Sequence, residues 1–397
     1  MGIRSTNPTQ SFGDEQNVRS VGNPFSAFND TFGGTGRDAA TRPHPGGPAI
    51  ANGGERFKVP LAAAPAPSGG GYVYHFFTNT TTPATFEVEY GPTINVLVVG
   101  GGGRGLMGGG GGGGIAQAIN LPTGLPGAGI RDNNIVFTAT VTVGQGYNPP
   151  SPAYTPPTTG GNSTITYTPL YDPTTPITIT GLGGGNGGSS VGRSGGSGGS
   201  VGRFGPTSPT DGVFSGGTGL QPSENSGLSF TVNNYGDPGA DIPKTDPHSY
   251  AARGGGGSGA AGPTSSVANG AGGQPFSFLP GPVIYPYMPS PLQTTLGGTA
   301  WRDAVTSGGN LGGGGGGHRF QASPNANRPS GGAGGGGQGG TASPPSSLAN
   351  GLPGINYTGG GGGGATTPAI GVSAGDGGHG IVIFYYYVGE DDLNDNI

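Results

Sequence analysis

The sequence predicts a mainly β protein with irregular stretches and essentially no α-helix. The expected form is a β-sandwich or jelly-roll-like base carrying a bundle of polyglycine-II helices. Three observations carry that expectation. Glycine supplies 95 and proline 39 of the 397 residues, whereas the two together average about 12% of ordinary proteins. Short apolar runs alternate with Pro- and Gly-rich turns, the punctuation of an all-β chain. Six runs of four or more consecutive glycines lie between an early and a late apolar strand.

Residues 1–70 show no helical or strand periodicity and are rich in Gly, Pro, Asn, Ser and Thr. Isolated aromatics stand at Phe12, Phe25, Phe28 and Phe32. Such a stretch buries too little apolar surface to offset its ordering entropy. It reads as an extended docking arm whose phenylalanines enter a partner surface.

From residue 71 the pattern turns to β. Tyr72, Val73, Tyr74, His75, Phe76 and Phe77 form an aromatic and β-branched run. Residues 86–90 alternate strictly, with Phe86, Val88 and Tyr90 on one face and Glu87 and Glu89 on the other. Residues 94–99 read as a more buried strand, and further strands are expected over 135–143, 163–168 and 177–180. The last strand spans 380–388 and is expected to return beside 94–99. The base is therefore 71–182 completed by 380–388. The glycine-rich region is 183–379, and an acidic tail occupies 389–397.

The glycine tracts occupy 100–103, 108–114, 254–257, 312–317, 334–337 and 359–364. No strict Gly-X-Y period runs through them, which excludes a collagen triple helix. Flexible linkers are the default reading for such composition. The alternative is a set of three-residue-per-turn helices rising about 3.1 Å per residue. Lacking Cβ atoms, these approach one another closely and point each N–H and C=O at a neighbour. Recurrence of the tracts between two pairing strands favours the bundle. Substitution inside 108–114 or 312–317 should then be disruptive, whereas Gly236 reads as an exposed loop position.

Composition excludes several classes of function. Charged residues are 9% of the chain and the net charge is −5, so no basic footprint for nucleic acid or an anionic membrane exists. There is no cysteine, hence no disulfide, zinc–thiolate site or thiol nucleophile. No run of 18 apolar residues is present, so membrane insertion is not expected. Gly100-x-Gly102-x-x-Gly105 follows a strand, as a dinucleotide fingerprint should. Seven glycines then stand where the helix belongs, and glycine does not nucleate one. Neither Lys58 nor Lys244 follows a glycine, so the phosphate-binding loop fails. Two Gly-x-Ser-x-Gly matches, at 192–196 and 195–199, lack the strand and helix of a nucleophile elbow. His44, His75, His248, His318 and His379 are scattered through the chain. With no convergent acid–base set, the chain is read as non-enzymatic, with no catalytic residues, cofactor or metal.

The frame Val96-Leu97-Val98-Val99 followed by glycines, with Gly378-His379-Gly380-Ile381-Val382-Ile383-Phe384-Tyr385 at the other end, carries a resemblance. It resembles the glycine-rich domains of bacteriophage structural and tail-fibre proteins, especially of the marine cyanophage type. Those typically read Val-Val-Gly-Gly-Gly-Gly early and Gly-Ser-Gly-Ile-Val-Ile-Ile-Arg-Tyr late. Here His379 replaces the usual serine and Tyr385-Tyr386-Tyr387 the usual Arg-Tyr. The architecture is also similar to the glycine-rich domain of anaplastic lymphoma kinase and to the polyglycine sandwiches of T-even-type distal adhesins.

The resemblance implies a virion surface protein, fibre- or adhesin-like. It would be anchored to other virion proteins by the arm, oligomeric on the particle, and would display loops toward host polysaccharide or an outer-membrane protein. A capsid decoration or head-fibre protein is the alternative within that class. A glycine-rich extracellular signalling module is the alternative outside it, disfavoured by the missing disulfides. The display loops would be 147–154, 207–250 and 276–301, with Tyr285, Tyr287 and Trp301 as receptor contacts. A buried structural tryptophan is the competing reading of Trp301.

Overall fold

A computed structural model describes residues 50–60, 71–90, 93–123, 137–146, 159–169, 174–202, 214–221, 225, 230–242, 252–259, 261–262, 276–277, 284–305, 309–319, 328–341, 349–365 and 372–388. Phe12, Phe25, Phe28, Phe32, residues 147–154 and the acidic tail lie outside them.

The alternating apolar runs form two antiparallel sheets, as predicted. The strands are β1 (Ile50–Asn52), β2 (Glu55–Pro60), β3 (Gly71–Phe77), β4 (Ala84–Tyr90), β5 (Thr93–Val99), β6 (Ile115–Pro122), β7 (Phe137–Thr142), β8 (Ser163–Tyr167), β9 (Ile177–Gly181), β10 (Val232–Tyr235), β11 (Phe276–Ser277), β12 (Asn310–Leu311) and β13 (Ile381–Val388). One sheet has the order β1-β4-β7-β8-β9 and the other β10-β6-β5-β13-β3-β2, while β11 and β12 pair separately. The final strand does return beside β5, with Phe384 opposite Val96, and inserts between β5 and β3.

Residues facing inward from both sheets form one core, including Val73, Phe77, Phe86, Val88, Val96, Val98, Phe137, Ile165, Ile179, Val382 and Phe384. Phe86 and Phe384 stack across it with ring centroids 3.9 Å apart. This is the period-2 burial of a sandwich.

The sequence-based boundary at residue 70 is corrected here. Residues 50–60, expected in the arm, supply β1 to one sheet and β2 to the other. The link between them is Gly53-Gly54, with φ of 111° and 66°, a left-handed crossing that side chains with a Cβ resist.

The outer face of the six-stranded sheet holds a second core. Over it lie two helices, α1 (Ser290–Leu296) and α2 (Thr299–Val305), which sequence reading missed. Leu292, Leu296, Trp301 and Val305 pack there in one cluster with Phe76, Leu97, Val99, Ile115, Ile381 and Ile383. Left-handed Gly297 ends α1 with its amide bonded back into the last turn, a common helix stop. The protein remains mainly β with little α-helix.

The glycine tracts are packed against one another. Tract 108–114 shows the rule, because residues three apart donate to the same neighbour. Gly108, Gly111 and Gly114 donate to the carbonyls of Gly188, Gly185 and Leu182 at 3.2, 2.7 and 2.8 Å. Gly109 and Gly112 donate to Arg253 and Gly256 at 3.0 and 2.9 Å, and Gly110 and Gly113 to Gly362 and Gly359 at 2.8 and 2.7 Å. Its carbonyls accept from Gly100, Gly103, Ser197, Ser200 and Gly315. Threefold repetition of this kind is the signature of a three-residue-per-turn helix. The tract has six neighbours, as in a hexagonal lattice.

A Cβ built on any glycine from 108 to 114 would lie within 3.0 Å of a neighbouring segment. Real side chains do not tolerate such an approach. Gly236, expected to be exposed, is also enclosed, and its Cβ would strike the Gly196 carbonyl. That expectation is overturned because residue 236 leaves β10 directly into the lattice.

Candidate functional site

The sandwich and the bundle give the molecule two poles. Strands β5, β6, β9 and β13 touch the bundle at Val99, Ile115, Gly181 and Ile381, where the tracts begin or end. At the opposite pole Val388 stands across from Gly71, and Ile50 from Tyr90. The described chain thus enters and leaves at one pole, and its glycine excursions reach away from the other. One described turn at the far end of the bundle includes Leu106 and Met107, between an outgoing and a returning tract.

Of the receptor contacts expected from sequence, Trp301 is corrected. It is 0% exposed, packs edge-on against Phe76 with ring centroids 6.3 Å apart, and donates its indole N–H to the Tyr357 carbonyl at 3.0 Å. It is a core residue with no surface to offer a ligand. Tyr285 packs against the second core, with the Arg302 guanidinium carbon 5.8 Å from its ring centroid. Tyr287 is 46% exposed. Both tyrosines belong to a 3-10 turn (Tyr285–Tyr287) preceding α1, and the turn touches β2. Structure therefore keeps Tyr287 accessible, half-buries Tyr285 and sequesters Trp301.

A row of rings that the sequence reading did not single out lies on the same outer sheet face, toward the pole of the chain ends. Alternation places Tyr72, Tyr74 and Phe76 of β3 and Tyr385 and Tyr387 of β13 on one side, with Phe57 of β2 beside them. Phe57 stacks on Tyr74 at 5.5 Å, Tyr74 on Tyr385 at 5.9 Å, and Tyr72 meets Tyr387 edge to face at 5.8 Å. Burial pushes the Tyr385 hydroxyl up to about 12 and raises that of Tyr74 further, so both stay neutral hydrogen-bonding groups in ordinary buffers. The signal was the period of two within both aromatic strands.

The three described histidines do not converge. His75 lies in the sandwich core, where its Nδ1 is 2.7 Å from the Gly53 carbonyl and its Nε2 3.3 Å from the Tyr386 hydroxyl. His379 accepts the Gly146 N–H at 2.9 Å and sits against Tyr357. His318 is 1% exposed beside Met107, with its Nδ1 3.0 Å from the Met107 carbonyl. Burial lowers the pKa of all three. Among the described residues no three His, Asp or Glu side chains are grouped to hold a metal ion, and no helix is long and apolar enough to cross a membrane.

Residues 214–242, part of an expected display loop, are partly structural. Buried Gln221 receives the Leu182 N–H at 2.7 Å and donates to the Thr180 carbonyl at 2.9 Å and to Asn234 at 3.0 Å. These bonds tie β9, the edge of one sheet, to β10, the edge of the other.

The base and bundle together define a glycine-lattice protein, in which a side-chain core supports a second core made of peptide groups. A family model described as a glycine-rich domain matches residues 78–387. The chain belongs to that family. Neither a search of curated proteins nor one of solved structures finds a match.

Proposed function

We propose that the chain is a non-enzymatic surface protein of a bacteriophage particle, fibre- or adhesin-like, anchored at one pole and displaying loops from the other. The observation that supports this is the polarity just described. Ile50 and Val388 stand together at one end of the sandwich, while the bundle projects from the opposite end on strands β5, β6, β9 and β13. A helix that spends its peptide groups on neighbours and has no side chains cannot read a ligand. It serves as a stiff spacer, and recognition falls to the segments between tracts. The paired start and end frames resembling phage structural proteins supply the particle context.

Residues 1–49 are assigned as the docking arm to other virion proteins, since β1 begins at Ile50. The protein is expected on the virion surface as an oligomer. Host polysaccharide or an outer-membrane protein is the ligand class; Tyr287 is an available aromatic contact on the flank of the sandwich beside β2 rather than at the bundle pole.

The test is labelling of purified particles with an antibody to the bundle, together with adsorption assays using the free protein as competitor. Label at fibre tips and blocked adsorption support the reading. Label spread over the capsid, unchanged adsorption and heat-sensitive particles on deletion would instead establish a decoration protein. Hydrolysis of host surface polysaccharide by the purified chain would defeat both.

A further inference from the structure

Tyr72 and Tyr387 stand directly opposite each other on the neighbouring strands β3 and β13. Their rings meet edge to face, with centroids 5.8 Å apart and planes at 77°. Tyr387 is 46% exposed and Tyr72 half-buried, so both an oxidant and ring rotation are accommodated. Tyr72 also lies 6.2 Å from Tyr385 and 6.3 Å from Tyr74, but both rings are farther away and more buried than Tyr387. Tyr74 and Tyr385 are themselves stacked at 17°, and Tyr74 is buried. That stack offers poorer access and the wrong orientation for joining ring edges.

We propose that Tyr72 and Tyr387 are a site of oxidative cross-linking to dityrosine. The oxidant is hydrogen peroxide acting through a haem peroxidase. Each phenol gives up one electron and its hydroxyl proton, leaving a phenoxyl radical with unpaired density on the carbons ortho to oxygen. Two ortho carbons couple to form one C–C bond. Each coupled carbon then loses its hydrogen as a proton and the two phenol O–H groups are restored. Two ring hydrogens are lost overall, and one peroxide takes up two electrons and two protons to leave two waters.

The bond would fasten β3, which ends just before the matched residues 78–387, to β13, which closes them, with residues 73–386, bundle included, inside the covalent loop. A chain without cysteine has no disulfide for that purpose. Constraint on the unfolded chain is how a long-range cross-link stabilises.

The test treats the full-length protein with peroxide and a haem peroxidase at low protein concentration. The expected product is a monomer lighter by two hydrogens, with blue dityrosine emission and a proteolytic peptide joining Tyr72 to Tyr387. Single cuts between residues 73 and 386 should leave the two fragments joined on a denaturing gel. Tyr387→Phe should remove the link with unchanged circular dichroism, and Tyr235→Phe should leave it. Linkage confined to other tyrosines, linkage only between molecules, no dityrosine at all, or an undiminished yield in Tyr387→Phe would each overturn the proposal.

Discussion

Asn225 meets Thr180 as a neighbouring strand would: the Thr180 N–H donates to Asn225 Oδ1 at 2.8 Å, and Asn225 Nδ2 donates to the Thr180 carbonyl at 2.9 Å. Thr180 lies on β9, the edge of its sheet, where open N–H and C=O groups invite pairing with another chain. Asn225 adopts φ 58° to reach it, a left-handed conformation that Asn tolerates better than most residues. The same amide donates to Asn234 of β10 at 2.7 Å. One side chain thus covers an edge and joins the two sheets.

Asn225→Ala should therefore lower stability by about 1–3 kcal/mol, the range for stranding buried polar partners. Hydrogen exchange at the Thr180 amide should accelerate more than at Ile165 on the interior strand β8. Unchanged protection at Thr180 would show the clasp to be dispensable.

Within the bundle, Gly113→Val should cost roughly 3 kcal/mol or more, at or above the usual range for overpacking. A Cβ there would strike the Gly100 carbonyl. Ser190→Val, on an exposed turn, should shift the melting temperature little. In the unmodified protein the amides of 109–114 should exchange as slowly as those of β5, because each has a backbone acceptor. Fast exchange there would reinstate the linker reading.

Acidification should destabilise the fold through His75. Desolvation is the main cause that holds its folded pKa near 4, with the Arg56 charge adding to it, whereas the unfolded chain takes up that proton near 6.5. Between those values the unfolded state binds more protons, so stability falls as pH drops from about 6.5 to 4. The loss from this one group amounts to at most about 3 kcal/mol. His318 and His379 act in the same direction, so His75→Gln should flatten the pH profile without abolishing it. Urea unfolding midpoints from pH 4 to 7 give the comparison.

Trp301 is the only tryptophan in the chain, which makes it a clean probe of α1 and α2. Its emission should be blue-shifted and poorly quenched by iodide in the folded protein. Trp301→Ala should cost about 3–5 kcal/mol by cavity formation. Ready quenching in the native state would contradict the buried indole.

Much of this architecture was legible. Phe86, Val88 and Tyr90 announced a one-sided strand, and the apolar run ending at Val388 announced its return to β5. Recurrent glycines announced a bundle. Other elements were hidden for physical reasons. In β2 the alternation of Phe57 and Val59 is only two residues long and is interleaved with Arg56 and Lys58. In β6 the inward residues Ala116 and Ala118 are too small to register as an apolar face, and Leu121 joins the core out of the period of two, after left-handed Asn120. Each helix offers one i, i+4 pair, Leu292 with Leu296 and Trp301 with Val305, between prolines and glycines that argue against helix. Among the site residues, Trp301 was read both as a receptor contact and as a buried structural residue, and the structure bears out the second; composition cannot distinguish a display loop from a cover over a sheet. Gln221 and Asn225 gave no signal, since their roles exist only when β9 and β10 come together.

The central tract accepts neighbours running in either direction. Residues 253–256 run parallel to 108–114, whereas 182–188 and 359–362 run antiparallel, with equally short bonds. A lattice indifferent to strand sense places almost no demand on topology. An added out-and-back excursion of glycines can seat at its rim without repacking anything already there, so the spacer can thicken or thin by whole hairpins while the sandwich beneath stays the same.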